Sequence, residues 1–253
     1  MIQEPFASGS SWMHGIDPRL RVSGAALYAV VVAVSYDFWA LGAALMLSLA
    51  AALVARLRFR EVLRRLRAPM VFLLLLWVVL PWSQEGEALA TLGAVTFTRA
   101  GVILCAQISL KTTAILVAFM ALVATMSVDT LGHTLSRLYL PDKLIHLLLL
   151  SYRYIFVLEQ EYQRLMRAMK IRNFQPKSDL HSYRTYAYLV GMLFVRASER
   201  ARRVYSAMIC RGFTGRFISL RRYPPNVRNR LFSLAAVLSL TLLVTLEWLR
   251  HWF

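Results

Sequence analysis

Long apolar runs, separated by short basic segments, dominate the pattern of this chain. Residues 22–55 are almost continuously apolar. As one helix they would extend about 51 Å, whereas the hydrocarbon core of a bilayer is about 30 Å thick. A polar segment at 35–37 interrupts the run near its middle. The pattern therefore predicts two membrane spans, at 22–36 and 38–55, with a break between them.

Three further apolar runs complete a predicted set of five spans, and they cover 69–82, 101–126 and 231–249. The segment RLRFREVLRRLR before the first of these runs carries six arginines. Such arginine-rich segments stay on the cytoplasmic side of a membrane. The connection 83–98 contains two glutamates and no lysine or arginine, which favours the outside. The charge pattern thus places the N-terminus in the cytoplasm and the C-terminus outside.

The region between the fourth and fifth spans has two shorter apolar stretches, at 144–158 and 186–195. Each stretch is basic on both flanks, so neither is predicted to cross the membrane. We interpret them as parts of helices that lie on or under the membrane surface, with basic faces toward the cytoplasm and the lipid headgroups. The predicted division is 1–126 with spans one to four, a cytoplasmic module at 127–228, and 229–253 with the fifth span.

Composition supports the class of an all-α integral membrane protein. The 253 residues carry a net charge of +17, and 58% of them are hydrophobic. A basic excess of this size is also typical of nucleic-acid binding. Here the arginines lie between the apolar runs, as in multi-pass membrane proteins with basic loops, so no nucleic-acid partner is expected. The first 20 residues lack the apolar core of a removable signal peptide.

A seven-residue pattern occurs twice in the basic module, as AMKIRNF at 168–174 and AMICRGF at 207–213. Each copy is predicted to end a helix. Gly212 suits the left-handed backbone position just past a helix end, and Asn173 is the next-best residue there. The contacts expected in such caps are Met169 with Phe174 and Met208 with Phe213.

The caps do not require the alanine and the arginine that both copies contain. Ala168 and Arg172 are four residues apart and share a helix face, as do Ala207 and Arg211. A small residue lets another surface approach, and the arginine then reaches an acidic or carbonyl-rich pocket, which favours a docking site. The helix dipole also favours a cation at this end. Spacing alone therefore leaves the docking and the purely structural interpretations open.

The two motifs, the basic helices that lead into them, the N-terminal HGIDPRLRV and the TRAG at 98–101 resemble the transmembrane T component of energy-coupling factor transporters. Within that family they resemble the CbiQ branch, which is of the cobalt or nickel type. The resemblance implies a non-catalytic subunit in the bacterial cytoplasmic membrane. It also implies two cytoplasmic ATPase subunits that bind ATP, and a CbiM-type membrane S component, with or without a small CbiN-type subunit, that captures the ion.

The resemblance further implies that the two motifs dock in grooves of the ATPases. Many members of the family have Ala-Arg-Gly at the central triplet, whereas here the triplets are Ile171-Arg172-Asn173 and Cys210-Arg211-Gly212. Both arginines are kept. The expected docking residues are Ala168, Ile171, Arg172, Asn173, Ala207, Cys210, Arg211 and Gly212.

Charged residues inside the apolar runs are few. Lys111 lies within the fourth predicted span, where a lysine is costly unless it reaches the surface, faces water or pairs. Asp37, at the predicted break, is interpreted as a turn residue, and Glu247 lies near the end of the fifth span. These acids give a proton-coupled carrier little support. A stand-alone secondary carrier whose basic module binds anionic lipid remains the main alternative.

Catalysis and metal binding have weak signals. The chain has no G-x-x-x-x-G-K-[ST] phosphate loop and no visible nucleophile–base set for a membrane-bound lipid enzyme. A further alternative is half of an ordinary nucleotide-driven permease that forms its own transport pathway. Such a protein would need no separate protein to capture the substrate. No histidine is expected to pair with another histidine, a cysteine or an acid as a metal ligand, and no cofactor is expected on this chain. The histidines are His14, His133, His146, His181 and His251.

Overall fold

The computed structural model describes residues 12–57, 59–83, 88–92, 95–136, 141–213 and 227–251. The described residues form helices joined by short turns, with one two-stranded hairpin. The elements are a 3₁₀ turn (Trp12–Gly15), α1 (Pro18–Val34), α2 (Phe38–Val54), α3 (Phe59–Ser83), β1 (Ala88–Leu92), β2 (Val95–Thr98), α4 (Arg99–Leu122), α5 (Val128–Ser136), α6 (Asp142–Ile171), α7 (Leu180–Cys210) and α8 (Val227–His251).

The break in the first apolar run lies where the sequence predicts it. Helix α1 ends at Val34 and α2 begins at Phe38, with extended backbone at Ser35 and at Asp37 between them. Asp37 is the N-cap residue of α2, in agreement with its interpretation as a turn residue. Each helix has 17 residues and is therefore about 26 Å long, slightly less than the hydrocarbon thickness.

Helix α3 joins two segments that the sequence pattern treats separately. It includes most of the arginine-rich segment and the third apolar run, in 25 residues from Phe59 to Ser83. Arginine and leucine both have high helix propensity, so the change from a basic to an apolar sequence does not by itself end a helix. Pro69 and Pro81 lie inside it.

The hairpin is the exception to the predicted all-helical fold. Strands β1 and β2 pair antiparallel within the connection 83–98, with Leu92 opposite Val95 and an irregular register between Ala88 and Ala90. Strands of five and four residues are too short to leave a clear alternating pattern in the sequence.

Two of the described helices are both long and apolar enough to cross a membrane, judged by length and composition. They are α4, over Arg99–Leu122, and α8, over Val227–Trp248. Helix α2 is apolar but shorter, and α1 and α3 each begin with arginines. The complete set of five spans therefore stays a prediction.

The chain divides into two compact units. The first, here called the helix-pair unit, contains α6 and α7 and lies within Leu135–Arg222. The second, here called the bundle unit, contains the other helices and the hairpin. Its core has small residues where helices approach closely, such as Ala114 and Ala118 of α4 beside Leu41 and Ala44 of α2. The predicted domain boundaries at 126 and 228 stay predictions.

Candidate functional site: two arginine-tipped helices

Helices α6 and α7 end in the same hydrogen-bond pattern. In α6, the amides of Asn173 and Phe174 donate to the carbonyls of Lys170 (3.0 Å) and Met169 (3.1 Å). In α7, the amides of Gly212 and Phe213 donate to the carbonyls of Ile209 (2.9 Å) and Met208 (3.0 Å). These crossed bonds define a Schellman cap, which satisfies carbonyls that the helix end leaves free.

The backbone of both caps agrees with the sequence prediction. Gly212 has φ +76° and Asn173 has φ +59°, both in the left-handed region. The side chain of Phe174 contacts the next helix, where its ring lies 5.8 Å from the ring of Tyr186 in an edge-to-face arrangement. Phe213 and Met208 line one groove together. The predicted side-chain packing of Phe174 on Met169 stays a prediction.

The arginine before each left-handed residue points away from the helix core. Arg172 and Arg211 are exposed, and among the described residues neither guanidinium has a hydrogen-bond or ion-pair partner. Ile171 is 86% exposed, which is unusual for a large apolar side chain. Ala168, Ala207 and Cys210 are exposed as well. Each helix therefore presents an accessible surface of a small residue, an apolar or thiol side chain and a cation.

An ion pair joins α6 to α7. The carboxylate of Glu161 accepts a hydrogen bond from the guanidinium of Arg196, and Arg164 lies 3.4 Å from its other oxygen. The Glu161 side chain is only 12% exposed. The hydrogen bond from Arg196, together with the nearby positive charge of Arg164 and Arg200, lowers the pKa of Glu161. The carboxylate therefore stays ionised and holds the two helices together.

The two arginine caps lie at opposite ends of the helix pair. The N-terminal half of α6 and the C-terminal half of α7, which ends in the second cap, line a mostly apolar groove of about 820 Å³. The first cap lies at the other end, where Phe174 contacts Tyr186 near the start of α7.

Both caps lie well beyond the ion pair that joins the two helices. Arg172 follows Glu161 by 11 residues in α6, and Arg211 follows Arg196 by 15 residues in α7. At 1.5 Å per residue the two arginines therefore lie about 17 Å and about 23 Å along their own helices from the ion pair. The repeat in the sequence thus corresponds to two helix tips with the same cap.

The turn between α6 and α7 is fixed by local polar contacts. The Asp179 side chain accepts a hydrogen bond from the Ser182 amide at 2.8 Å and so caps α7. The pKa of Asp179 is lowered, mainly by hydrogen bonding from the Ser182 side chain and amide. The Ser182 hydroxyl in turn accepts from the Lys177 amide at 3.0 Å. These bonds fix the direction in which α7 leaves the first cap.

No group of three or more potential metal ligands (His, Cys, Asp or Glu) is present among the residues that the structure describes. Sequence reasoning missed one pairing of a histidine with an acid. His133 lies 3.9 Å from the carboxylate of Asp129. The two residues are four apart in α5 and therefore share a helix face. The described side chains bring no third ligand to this pair.

Sequence reasoning also missed the partners of Lys111. Its ammonium donates to the carbonyl of Ala33 at 2.9 Å and lies 4.1 Å from the centre of the Tyr36 ring. The lysine thus bonds to a free carbonyl at the end of α1, where a cation is favoured. Only the knowledge that α1 packs on α4 could have identified this contact.

Comparison with known proteins identifies the family. A family model described as cobalt transport protein, CbiQ, matches residues 9–222. The energy-coupling factor transporter transmembrane protein EcfT of Listeria innocua is 28% identical over 229 residues, which are 85% of each chain. The EcfT protein of Acidaminococcus fermentans is 25% identical over 252 residues, covering 96% of this chain and 94% of that protein.

A third relative matches a shorter part of the chain. The cobalt transport protein CbiQ of Salmonella typhimurium is 30% identical over 120 residues, which are 47% of this chain and 53% of that protein. The family match includes both arginine caps, since 9–222 extends beyond Phe213. The chain is therefore a membrane protein that belongs to the CbiQ family of cobalt transport proteins, a family of transmembrane T components of energy-coupling factor transporters.

Proposed function

We propose that this chain is the T component of an importer for cobalt or nickel ions, and that α6 and α7 are its coupling helices. It acts as a non-catalytic scaffold with five spans and a cytoplasmic N-terminus in the bacterial cytoplasmic membrane. Two cytoplasmic ATPase subunits bind ATP. A CbiM-type S component, with or without a CbiN-type subunit, binds the ion and sets the choice between cobalt and nickel.

The observation that carries this proposal is the pair of matching tips. Arg172 and Arg211 end two helices with the same cap, and both guanidinium groups are exposed. A helix cap alone needs no such cation. Two equivalent tips at opposite ends of one helix pair fit two equivalent grooves, as two ATPase subunits would provide. The tips are held by helices of 30 and 31 residues, which are long enough to carry a displacement over tens of ångströms.

The tips transmit motion only if the ATPases contact them differently in their two states. Closure of the ATPases around ATP moves their grooves, and Arg172 and Arg211 move with them. Charge-assisted hydrogen bonds from a guanidinium contribute about 1.5–3 kcal/mol each, which is enough to bias such an equilibrium. The S component then reorients and releases its ion toward the cytoplasm.

Reversal of both charges tests the docking. The variant Arg172→Glu with Arg211→Glu should lose the ATPases on co-purification from detergent, because an acidic or carbonyl-rich groove repels a carboxylate. Uptake of cobalt or nickel should fall with it. The matched control is Arg153→Glu with Arg202→Glu, which makes the same change of charge at two exposed arginines, one in α6 and one in α7, that lie outside both caps.

Unchanged recovery of the ATPases together with unchanged uptake would refute the docking role. The main alternative is a stand-alone secondary carrier with a lipid-binding basic region. Such a carrier would take up the ion in vesicles that contain this chain alone, without nucleotide. An importer of the proposed kind would show no uptake under those conditions.

A further inference from the structure

At its N-terminal end, α1 is hydrogen-bonded to α8 and to the segment that follows α4. The buried guanidinium of Arg21 donates to the carbonyl of Met13 at 3.1 Å and to the hydroxyl of Thr125, three residues after the end of α4. The amide of Asp17 donates to the side chain of Asn229, in the first turn of α8, at 3.0 Å. These bonds form the first fastening of the bundle unit.

The same three helices are bonded again at the other end of α1. The carboxylate of Glu247, from α8, accepts hydrogen bonds from the Ser35 hydroxyl and from the Tyr36 amide, the latter at 2.9 Å. From α4, the Gln107 side chain donates to the Tyr36 carbonyl at 2.7 Å, and Lys111 donates to Ala33. These bonds form the second fastening, and they satisfy backbone groups that the helix break would leave free.

The two fastenings are separated by roughly the thickness of a membrane core. Asn229 and Glu247 are 18 residues apart in α8, which corresponds to about 27 Å, against about 30 Å of hydrocarbon. Between them the contacts are apolar, and include Val32 of α1, Ala114 of α4 and Leu243 of α8. Polar bonds are thus placed near the two surfaces of a bilayer, where charged side chains cost least.

Helices α4 and α8 are also the connections of the helix-pair unit. The chain passes from α4 through α5 into that unit and leaves it into α8. Both connections therefore begin at helices that are bonded to α1 at each end. A displacement of one connection cannot separate α4 from α8 without breaking bonds at one of the fastenings.

We propose that α1, α4 and α8 form a single rigid frame that carries both connections of the helix-pair unit, with Arg21 and Glu247 as its positioning residues. This inference rests on the proposed function, since it states how the membrane part receives the motion of the coupling helices. The frame moves as one body when the ATPases move α6 and α7. Loosening either fastening lets the helix pair move without the spans, so ATP is hydrolysed with little transport.

Hydrogen exchange on the purified chain in detergent tests the fastenings without any partner. The amides of Asp17 and Tyr36 are the donors to Asn229 and Glu247. We expect Asn229→Leu to speed exchange at Asp17, and Glu247→Leu to speed exchange at Tyr36, each by about tenfold. Unchanged exchange at both amides would overturn the frame, whether or not ATPases bind.

The complete transporter then tests the role of the frame in coupling. In complexes with Arg21→Met or Glu247→Leu, we expect normal recovery of the ATPases and normal ATP hydrolysis, but about tenfold less ion transported per ATP. The conservative Arg21→Lys and Glu247→Gln should restore most of the transport. Equal transport per ATP in Arg21→Met, Glu247→Leu and the unaltered complex would overturn the proposal.

Milder variants decide the question if these complexes fail to assemble. Thr125→Val and Ser35→Ala each remove one hydroxyl from a fastening and should still lower transport per ATP. Their matched controls are Thr134→Val and Ser239→Ala, because those hydroxyls bond only within their own helices. If Thr125→Val and Ser35→Ala behave like these controls, the frame has no role in coupling. If the unaltered chain binds no ATPase subunits, the proposed function is refuted. The hydrogen-exchange experiment then decides whether the frame exists.

Discussion

At the scale of single residues, the two tips depend on backbone conformation more than on side-chain packing. Asn173 and Gly212 both have positive φ, and each allows the following phenylalanine amide to bond back to a methionine carbonyl. These features were predictable because a helix cap depends on a few neighbouring residues. The outward position of Ile171 was not, since exposure depends on the whole fold.

Substitutions at the two residues with left-handed backbone should change the stability of the two caps in opposite directions. Gly212→Ala should weaken the α7 cap by about 1 kcal/mol, because a Cβ disfavours positive φ. Asn173→Gly should strengthen the α6 cap. Residue-resolved hydrogen exchange at Phe213 and Phe174 measures both effects.

Gly191→Ala is the control for the cap variants. Gly191 lies inside α7, and an added Cβ there would meet no atom within 4 Å. Alanine is the better helix former, so this variant should be neutral or stabilising. Faster exchange in Gly191→Ala than in Gly212→Ala would contradict the role of the positive φ.

At the scale of helices, the sequence predicts where many helices begin and end but not which helices contact each other. The break between α1 and α2 was predictable from length and polarity. The bond between Glu161 and Arg196 joins positions 35 residues apart in two different helices, and no local pattern pairs them. The hairpin was missed because its strands are short. Helix α3 was divided because its arginines indicated a cytoplasmic segment separate from the third span.

The bond between α6 and α7 should depend on pH. The pKa of Glu161 is lowered in the folded protein, so its stabilising contribution is complete above the ordinary glutamate pKa of about 4.3 and is lost as pH falls through the lowered value. Glu161→Gln should therefore have a lower Tm than the unaltered chain at pH 6, and the difference should disappear as the pH falls through the lowered pKa of Glu161. Glu159→Gln, at an exposed position of the same helix, should show no such difference. Equal pH profiles of the two variants would show that the ion pair does not stabilise the helix pair.

Helices α3 and α4 meet at a glycine. A Cβ at Gly101 would lie 2.8 Å from the Pro81 Cα and 3.0 Å from the Leu80 carbonyl oxygen. Both are backbone atoms and cannot rotate away, so Gly101→Ala should destabilise the protein by about 1–3 kcal/mol. Gly42→Ala in α2 is the control, because its Cβ would meet no atom within 4 Å. The Tm of both variants in detergent checks the prediction, which is wrong if the two values agree.

At the scale of the whole molecule, the charge pattern predicts a separation of spans from a basic helical region, and the family match covers the first four predicted spans and most of that region. It could not predict the fastenings, because they require knowing which helices are neighbours. From the sequence, Lys111 is a costly charge within the fourth predicted span, and Glu247 lies near the end of the fifth. In the structure they bond to backbone and hydroxyl groups at the break between α1 and α2.

The two cysteines allow a direct test of the proposed topology. Cys105 is buried and Cys210 is exposed, so a membrane-impermeant maleimide should label only Cys210. Labelling should occur in inside-out vesicles and not in intact cells, because the second tip is proposed to be cytoplasmic. Cys210→Ser should abolish the labelling. When Phe38→Cys is added to the Cys210→Ser variant, labelling should occur in intact cells and not in inside-out vesicles. Labelling of Cys210 from outside would overturn the proposed orientation.

The unequal distances of the two tips from the Glu161–Arg196 ion pair have a mechanical consequence. The arm from Glu161 to Arg172 is about 17 Å long, and the arm from Arg196 to Arg211 is about 23 Å long. Equal forces in the same direction on both arms therefore leave a net torque in the sense of the longer arm, so they translate the helix pair and also turn it. Opposed forces add their torques and turn the pair about the ion pair. If two ATPase subunits hold the tips as proposed, the relative direction in which they move decides how much of the motion is rotation.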